Sequence, residues 1–444
     1  MVEDNVLYWI WLADRCGIAS KDVPRLCEKY EDPFDLYRME EEEIERIEGI
    51  SYSLKTKLFD KSLANAYEIL RFCRQKNIDI VSYKDKRYPS RLRNIQDPPA
   101  ILYVMGKLPD MDNRLCVGVV GTRKISEYGI ETSFKVSYDL ASANAVAVSG
   151  MALGVDGVAA CGALTAGGPT VAVLGCGLSV VYPKVHERLM NEIAKKGAVI
   201  TEYPPFERPH GYNFPKRNRI ISGLCQGVLV VEGSAGSGSL ITAKCAIEQG
   251  REVFALPGKI NESNSEGPNE LIKSGALVAL SANDIVTHYD FLYHDCINYK
   301  GLRDAEKSAV NIERALSKYG LSYVYDENEG GRRSAPKAKK RITAEASVSS
   351  VNNTAVEPKL AVETTAASNV TEKKERTFDR SAELLAGLDD SSRRVFEALP
   401  MDKAVCADAL AVEGMSIGEV ITALTMLEIN GLAESLPGGM YIRK

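Results

Sequence analysis

The 444-residue sequence has no surplus of positive charge: 55 Lys and Arg stand against 60 Asp and Glu, a formal net charge of -5. No global basic field therefore draws it to nucleic acid or anionic lipid, and any anion site must be local. Its ten cysteines include no CxxC pair, which argues against a zinc site or a disulfide framework and for buried thiols in a reducing compartment. The first apolar run, in MVEDNVLYWIWLADR, lacks the basic start of a signal peptide. From Ala141 to Pro183 the only charge is Asp156, yet glycines and serines interrupt that stretch too often for a membrane helix. The expectation is a cytoplasmic chain with no membrane contact. What is present is an ordinary apolar fraction, 45%, in a chain long enough for two or three domains.

Three compositional zones follow one another. Residues 1–75 place apolar residues at helical spacing (Val6, Leu7, Ile10, Trp11, then Ile44, Ile47, Leu54, Leu58), which predicts a small helical domain. Its IEGISYSLKTKL segment faintly suggests a helix-hairpin-helix turn, but the acidic run EEEEIE before it would repel phosphate. Residues 80–290 alternate short β-branched runs with helical stretches: LCVGVV, AVAVS, TVAVL, AVIT, GVLVVE and EVFAL are apolar on both faces. That is the pattern of a doubly wound α/β domain with a mainly parallel sheet. Residues 297–325 read as a helical extension. Residues 326–380 are rich in Ser, Thr, Ala, Glu and Lys and nearly free of aromatics, as in a linker that cannot offset its ordering entropy by burial.

Residues 381–444 recover helical spacing at Leu384, Leu385, Leu388, Val395 and Leu399, and end in a helix, a Gly turn and a hairpin, an order that suits a winged helix. This zone has ten Asp or Glu against five Lys or Arg, and the presumed reading helix, Ile417 to Asn430, carries Glu419 and Glu428 but no base. DNA affinity rests on phosphate neutralisation, so a protein-contact or structural role is expected.

Three turns of the α/β domain suit an anion. GTRKISEYG after the first parallel strand offers Gly121, Thr122, Arg123, Lys124 and Ser126 at a helix start, a phosphate cradle by design. The GxGxxG spacing is absent, which argues against a dinucleotide fingerprint. GSAGSGSLITAK offers Ser237, Gly238, Ser239, Thr242 and Lys244 at another helix start, without the P-loop spacing. NFPKRNRIISG places Phe214 beside Lys216, Arg217, Asn218 and Arg219. A stacking ring with neighbouring cations is the minimum set for single-stranded nucleic acid, although Phe214 could equally be a core residue.

Seven blocks, RYPSRLRNIQDPPAILYVMG, GVVGTRKISEYG, SGMALGVDGVAACGAL, TVAVLGCGLSVVYP, NFPKRNRIISGL, SGSLITAKCAIEQGREVFALPG and GPNELIKSGA, resemble in order and spacing the DNA-processing protein A family (DprA/Smf) over about residues 80–285. The resemblance implies an extended Rossmann-like fold flanked by an N-terminal SAM-like helical domain and a C-terminal winged helix. It implies a homodimer without cofactor or catalytic turnover that binds single-stranded DNA and recruits the RecA recombinase. Loading RecA past single-strand-binding protein during natural transformation completes the implied role. Ala160, Ser179 and His186 depart from the family pattern, which leaves the ends of the second and third strands in doubt. Self-association would involve the region of Ile247, Leu271, Ile272 and Leu277.

Two alternatives stay open. In phosphoribohydrolases of the same Rossmann group, a PGGxGTxxE loop ends in a catalytic glutamate; here AGSGSLIT puts Thr242 at that place, and a threonine cannot replace the carboxylate. A nucleotide-binding sensor would keep the phosphate cradle and discard DNA.

Overall fold

Leu7, Ile10 and Trp11 recur on one face of the first helix and are all buried, so the N-terminal zone folds by covering that face. The structure, a computed structural model, describes residues 2–324, 389–400, 405–406, 410, 415, 417–429, 432–436 and 440–443. It divides into two units, residues 1–331 and 332–444.

The first unit begins with α1 (Val2–Cys16), α2 (Asp22–Lys29), α3 (Pro33–Tyr37), α4 (Glu41–Glu45), α5 (Tyr52–Phe59) and α6 (Ala64–Gln75). Asp32 and Ser51 accept backbone N–H groups at the starts of α3 and α5, which satisfies donors that the first turn leaves free. Ile69 and Cys73 of α6 share one apolar cluster with Ile78, Ile101 and Tyr103. The helices are thus packed directly on the sheet that follows.

That sheet has nine strands among the described residues: β1 (Ile78–Ser82), β2 (Ile101–Gly106), β3 (Cys116–Val120), β4 (Val146–Ser149), β5 (Thr170–Val173), β6 (Ala198–Thr201), β7 (Gly227–Val230), β8 (Glu252–Ala255) and β9 (Leu277–Val278). Their order is β1-β2-β6-β5-β4-β3-β7-β8-β9. From β6 to β9 all neighbours are parallel, while β2 runs antiparallel to β6 and β1 to β2. The six strands expected from apolar runs are present. The antiparallel pair β1 and β2 was not expected: IDIVS of β1 exposes Asp79 and lacks the two-faced apolar signature of a buried strand, whereas β2 buries Ile101 to Val104 in succession and carries that signature.

Between strands lie α7 (Ser90–Arg93), α8 (Glu127–Ser142), α9 (Val155–Thr165), α10 (Glu187–Lys196), α11 (Asn213–Leu224), α12 (Gly238–Glu248), α13 (Ser263–Lys273) and α14 (Ala282–His288). Alternate residues of the central strands face opposite clusters. Val146, Val148, Val228 and Val230 meet Ile220, Leu224 and Ala243 of α11 and α12; Val117, Val119 and Leu229 meet Leu140, Val155, Ala159 and Ile285 of α8, α9 and α14. This is why the strand sequences are apolar on both faces. After β6 the chain returns along α11 to pair β7 with the far side of β3, so strand order reverses there and a crevice opens at the carboxyl ends of β3 and β7. The unit continues with α15 (Asp290–Tyr293), α16 (Tyr299–Glu306), α17 (Ile312–Lys318) and a short 3-10 turn, Ser322–Val324.

In the second unit, α18 (Asp390–Ala398) and α19 (Ile417–Ile429) bury Val395, Phe396, Val420, Leu424 and Leu427 together. Strand β12 (Met440–Arg443) pairs antiparallel with both β10 (Val405–Cys406) and β11 (Ala433–Leu436), the helix-and-wing order expected of a winged helix. The expected linker, 326–380, and Leu384, Leu385 and Leu388 lie outside the described residues.

All ten cysteines are free thiols. Burial pushes Cys176 to about 11 and Cys27, Cys73 and Cys116 to about 12, so these thiols stay protonated and unreactive. Among the described residues no group of three His, Cys, Asp or Glu is placed to hold a metal ion, and no helix is long and apolar enough to cross a membrane.

Candidate nucleic-acid interface

The crevice is built from the turns that follow β3, β4, β5 and β7, closed on one side by α11. After β3 the chain passes Gly121, where a Cβ would lie 2.5 Å from Val155 Cγ2 and 2.9 Å from the Glu232 carbonyl oxygen; only glycine lets the turn run this close. Thr122 N–H donates to the Glu232 carbonyl at 2.8 Å, and its hydroxyl accepts Lys124 N–H at 3.1 Å. The turn is thereby fixed, and it holds Arg123 and Lys124 exposed.

The start of α8 behaves differently from the expectation. Ser126 caps the helix by accepting Gly129 N–H at 3.1 Å, but its own N–H donates to Glu232 Oε2 at 3.0 Å and its hydroxyl to Glu232 Oε1. Asn264 Nδ2 adds a contact to the same carboxylate at 3.4 Å. A buried carboxylate therefore fills the place assigned to phosphate, because both anions are favoured at a helix N-terminus. Ser126 is not free for DNA. Glu232 lies 106 residues further along the chain, so no local pattern announces it.

The NFPKRN block separates into three roles. Phe214 is half-buried, with its ring centroid 5.3 Å from that of Tyr182. The Arg123 guanidinium carbon lies 5.4 Å from the Phe214 ring centroid, and that of Arg217 lies 5.9 Å away, both within cation–π range. Tyr182, 36% exposed, extends the aromatic surface outward. It was not singled out from the sequence, where its signal was only the tyrosine of the VVYP turn.

Arg217 is 4% exposed and is a strut rather than a phosphate ligand. Its Nη1 donates to the Gly150 carbonyl at 2.9 Å and to the Val173 carbonyl, and Nε donates to Asn218 Oδ1 at 3.1 Å. At Gly150 a Cβ would come within 2.5 Å of Arg217 Nη2, so the strand end is shaped around the guanidinium. Asp156, also buried, accepts Gly150 N–H at 2.9 Å and Ala152 N–H at 3.4 Å. Burial lowers the Arg217 pKa and raises that of Asp156, while the attraction between the two opposes both shifts.

Arg219 corrects the expectation in the same way. It is buried, donates from Nη2 to Glu202 Oε2, and places Nε 3.3 Å from Asp97 Oδ2, off the line of a hydrogen bond. Glu202 also accepts Ala19 N–H at 3.2 Å, so this cation ties α11 to the N-terminal helices. Asn218 braces the second phosphate turn through Nδ2 to the Gly238 carbonyl at 3.3 Å. Of the three cations in the block, Lys216 alone is exposed. Its ammonium lies 5.6 Å from the Tyr212 ring centroid, and Tyr212 in turn stacks on His210.

At the start of α12, Ser237 is the cap: its oxygen accepts Ser239 N–H at 3.4 Å and sits 2.8 Å from the Ser239 hydroxyl. Gly238 is exposed, and nothing lies within 4 Å of where its Cβ would be. This helix start is open where that of α8 is filled. Thr242 is 1% exposed, and Lys244 is exposed on the second turn.

The departures from the family pattern fall beside this site. His186 is fully buried, its Nδ1 3.0 Å from the Met151 carbonyl and its ring against Gly157, one turn before Ala160. Ser179 donates its hydroxyl to the Pro205 carbonyl at 2.6 Å. The crevice therefore offers an aromatic pair with Tyr182 exposed and Phe214 half-buried, exposed cations and one open helix start, while Asp156 and Glu232 are buried and engaged.

Residues 79–290 match the family described as DNA recombination-mediator protein A, and residues 379–439 match the DprA winged helix domain. The chain is 40% identical over 217 residues to DNA processing protein DprA of Bacillus subtilis, covering 49% of this chain and 73% of that protein. It is 44% identical over 210 residues to DNA processing protein DprA of Streptococcus pneumoniae, covering 47% and 74%. The X-ray structure of DNA processing protein A from Streptococcus pneumoniae is similar with a TM-score of 0.56 at 35% identity, covering 63% of this chain and 97% of that one.

Proposed function

The chain belongs to the DNA-processing protein A (DprA/Smf) family, and from that premise we propose that it binds single-stranded DNA in the β3–β7 crevice as a recombination mediator. The observation that carries this reading is the Tyr182–Phe214 pair flanked by the exposed Arg123 and Lys124. Ring faces are useful to unstacked bases and cations to the strand backbone, and the open start of α12 suits a further phosphate. In this reading the protein acts in the cytoplasm during natural transformation, recruits RecA and loads it past single-strand-binding protein.

The role is one of binding, without turnover. A phosphoribohydrolase would need a carboxylate where Thr242 stands buried, and the two acidic groups of the crevice are already committed to the fold. Self-association through the β9 end of the sheet fits the same reading. Strand β9 is the last in the sheet order, Val278 is 48% and Leu280 69% exposed beside it, and Ile247 on α12 is 62% exposed; an apolar strand edge is a pairing surface. Leu271, Ile272 and Leu277 are half-buried and contribute less.

Titration of the purified protein with a labelled single strand, the matching duplex and nucleoside monophosphates tests the proposal. Tighter binding of the single strand, with no free base released from the monophosphates, is the expected result. Tight monophosphate binding with weak binding of both DNAs would favour the nucleotide sensor, and base release would favour the enzyme.

A further inference from the structure

The first turns of α11 face two ways. Phe214 and Arg217 look into the crevice, whereas Tyr212, Asn213 and Lys216 line a separate cavity of about 280 Å³ between the N-terminal helices and the sheet. Its walls are Ile10 and Ala13 of α1, Tyr103 of β2 and Tyr203 beyond β6. The volume lies at the small end of ligand pockets and suits a single planar ring system.

One hydroxyl on the wall of this cavity has no protein partner. Tyr103 is 2% exposed, yet its hydroxyl makes no hydrogen bond among the described residues, whereas the neighbouring Tyr203 hydroxyl donates to the Asn213 carbonyl at 3.2 Å. The Tyr103 oxygen is not among the enclosed unpaired atoms of the described residues, so it opens on the cavity and is placed to meet something that enters. The charges of the lining divide the ligand's parts. Lys216 is exposed and forms no ion pair among the described residues, while Asp14 and Glu207 line the same cavity. Asp14 is exposed, Glu207 is half-buried, and Glu202 on the same wall is taken by Arg219, so among the described residues the lining offers one free cation to a phosphate and carboxylates to an exocyclic amine.

We propose that this cavity receives one unstacked nucleobase of the bound strand, with Lys216 on the adjoining phosphate, Tyr212 at the mouth and the Tyr103 hydroxyl on the base edge. The proposal rests on the reading of the crevice as a single-strand site. A strand in contact with Phe214 needs to cross only the width of α11, about 10 Å, to reach it. Bases carrying an exocyclic amine are favoured over thymine.

The test uses the full-length protein and a single strand of non-repeating sequence carrying one 5-iodocytosine, moved position by position, with photo-adducts mapped by mass spectrometry. One position should give an adduct on Tyr103 or Tyr203. Ala13→Phe, which fills the cavity, should abolish that adduct and weaken affinity about tenfold, while adducts on Tyr182 or Phe214 persist. Tyr103→Phe removes a hydroxyl without a partner, so melting should not change and affinity should fall about fivefold. If Ala13→Phe does not fold, Tyr103→Phe decides: unchanged affinity overturns the proposal. Adducts confined to the crevice, with both variants binding as the unaltered protein does, would overturn the base pocket and leave the crevice reading standing. Absence of single-strand binding altogether would overturn both.

Discussion

Replacing Arg217 by alanine distinguishes a structural arginine from a DNA-binding one. The substitution removes the donor to the Gly150 and Val173 carbonyls and leaves Asp156, fully buried, without the cation that favours its charged form. Leaving two buried carbonyls without their donor costs about 1–3 kcal/mol each. For a folded unit of this size that corresponds to a fall in melting temperature of about 3–9 °C. Asp156→Asn in the same chain should recover part of the loss, because the uncompensated charge is gone. The assay is thermal and urea denaturation of the single and double variants, alongside single-strand binding at two salt concentrations. Unchanged stability of Arg217→Ala, together with a salt slope lowered by about 0.7, would refute the reasoning and return Arg217 to the phosphates.

Three further outcomes are expected. Phe214→Ala should weaken single-strand binding by about 1–3 kcal/mol, measured by fluorescence anisotropy; a loss of stability with unchanged affinity would make Phe214 a core residue. Burial holds the His186 pKa below its ordinary value of 6.5, so the unfolded chain takes up this proton first as pH falls. Stability should therefore drop as pH falls below about 6.5 and level off below the folded-state pKa, and His186→Gln should flatten that part of the stability–pH curve. A chain ending at Arg332 should keep nearly full single-strand affinity, and the isolated winged helix should show no duplex binding at physiological salt in a gel shift. On α19 the exposed residues include Glu419 and Glu428.

The sheet was legible because burial on both faces leaves a local mark: LCVGVV, TVAVL and GVLVVE are apolar at every position, and each became a parallel strand within one or two residues of its expected ends. Strand β1 escaped because IDIVS sits at the sheet edge, where Asp79 meets solvent; β2 lies inside the sheet and carries the same apolar mark in ILYV. The candidate site was legible in its location and less so in its members. A run of cations in sequence cannot reveal that Arg217 is claimed by carbonyls 44 and 67 residues away, or that Arg219 is claimed by Glu202 and Asp97. The same limit applies at α8, whose start invites an anion but receives it from Glu232. Tyr103 reads as an ordinary strand residue, and only its missing hydrogen bond distinguishes it.

The central claim is that the exposed cations, Arg123 and Lys124 in the crevice and Lys216 beside it on α11, and not the buried ones, carry the DNA. Its most direct test is the dependence of single-strand affinity on salt for the unaltered protein and for Arg123→Ala, Lys124→Ala and Lys216→Ala. Each variant should melt with the parent and lower the slope of log affinity against log salt by about 0.7, one phosphate contact each. Three unchanged slopes in well-folded variants would contradict the account and place the strand elsewhere on the molecule.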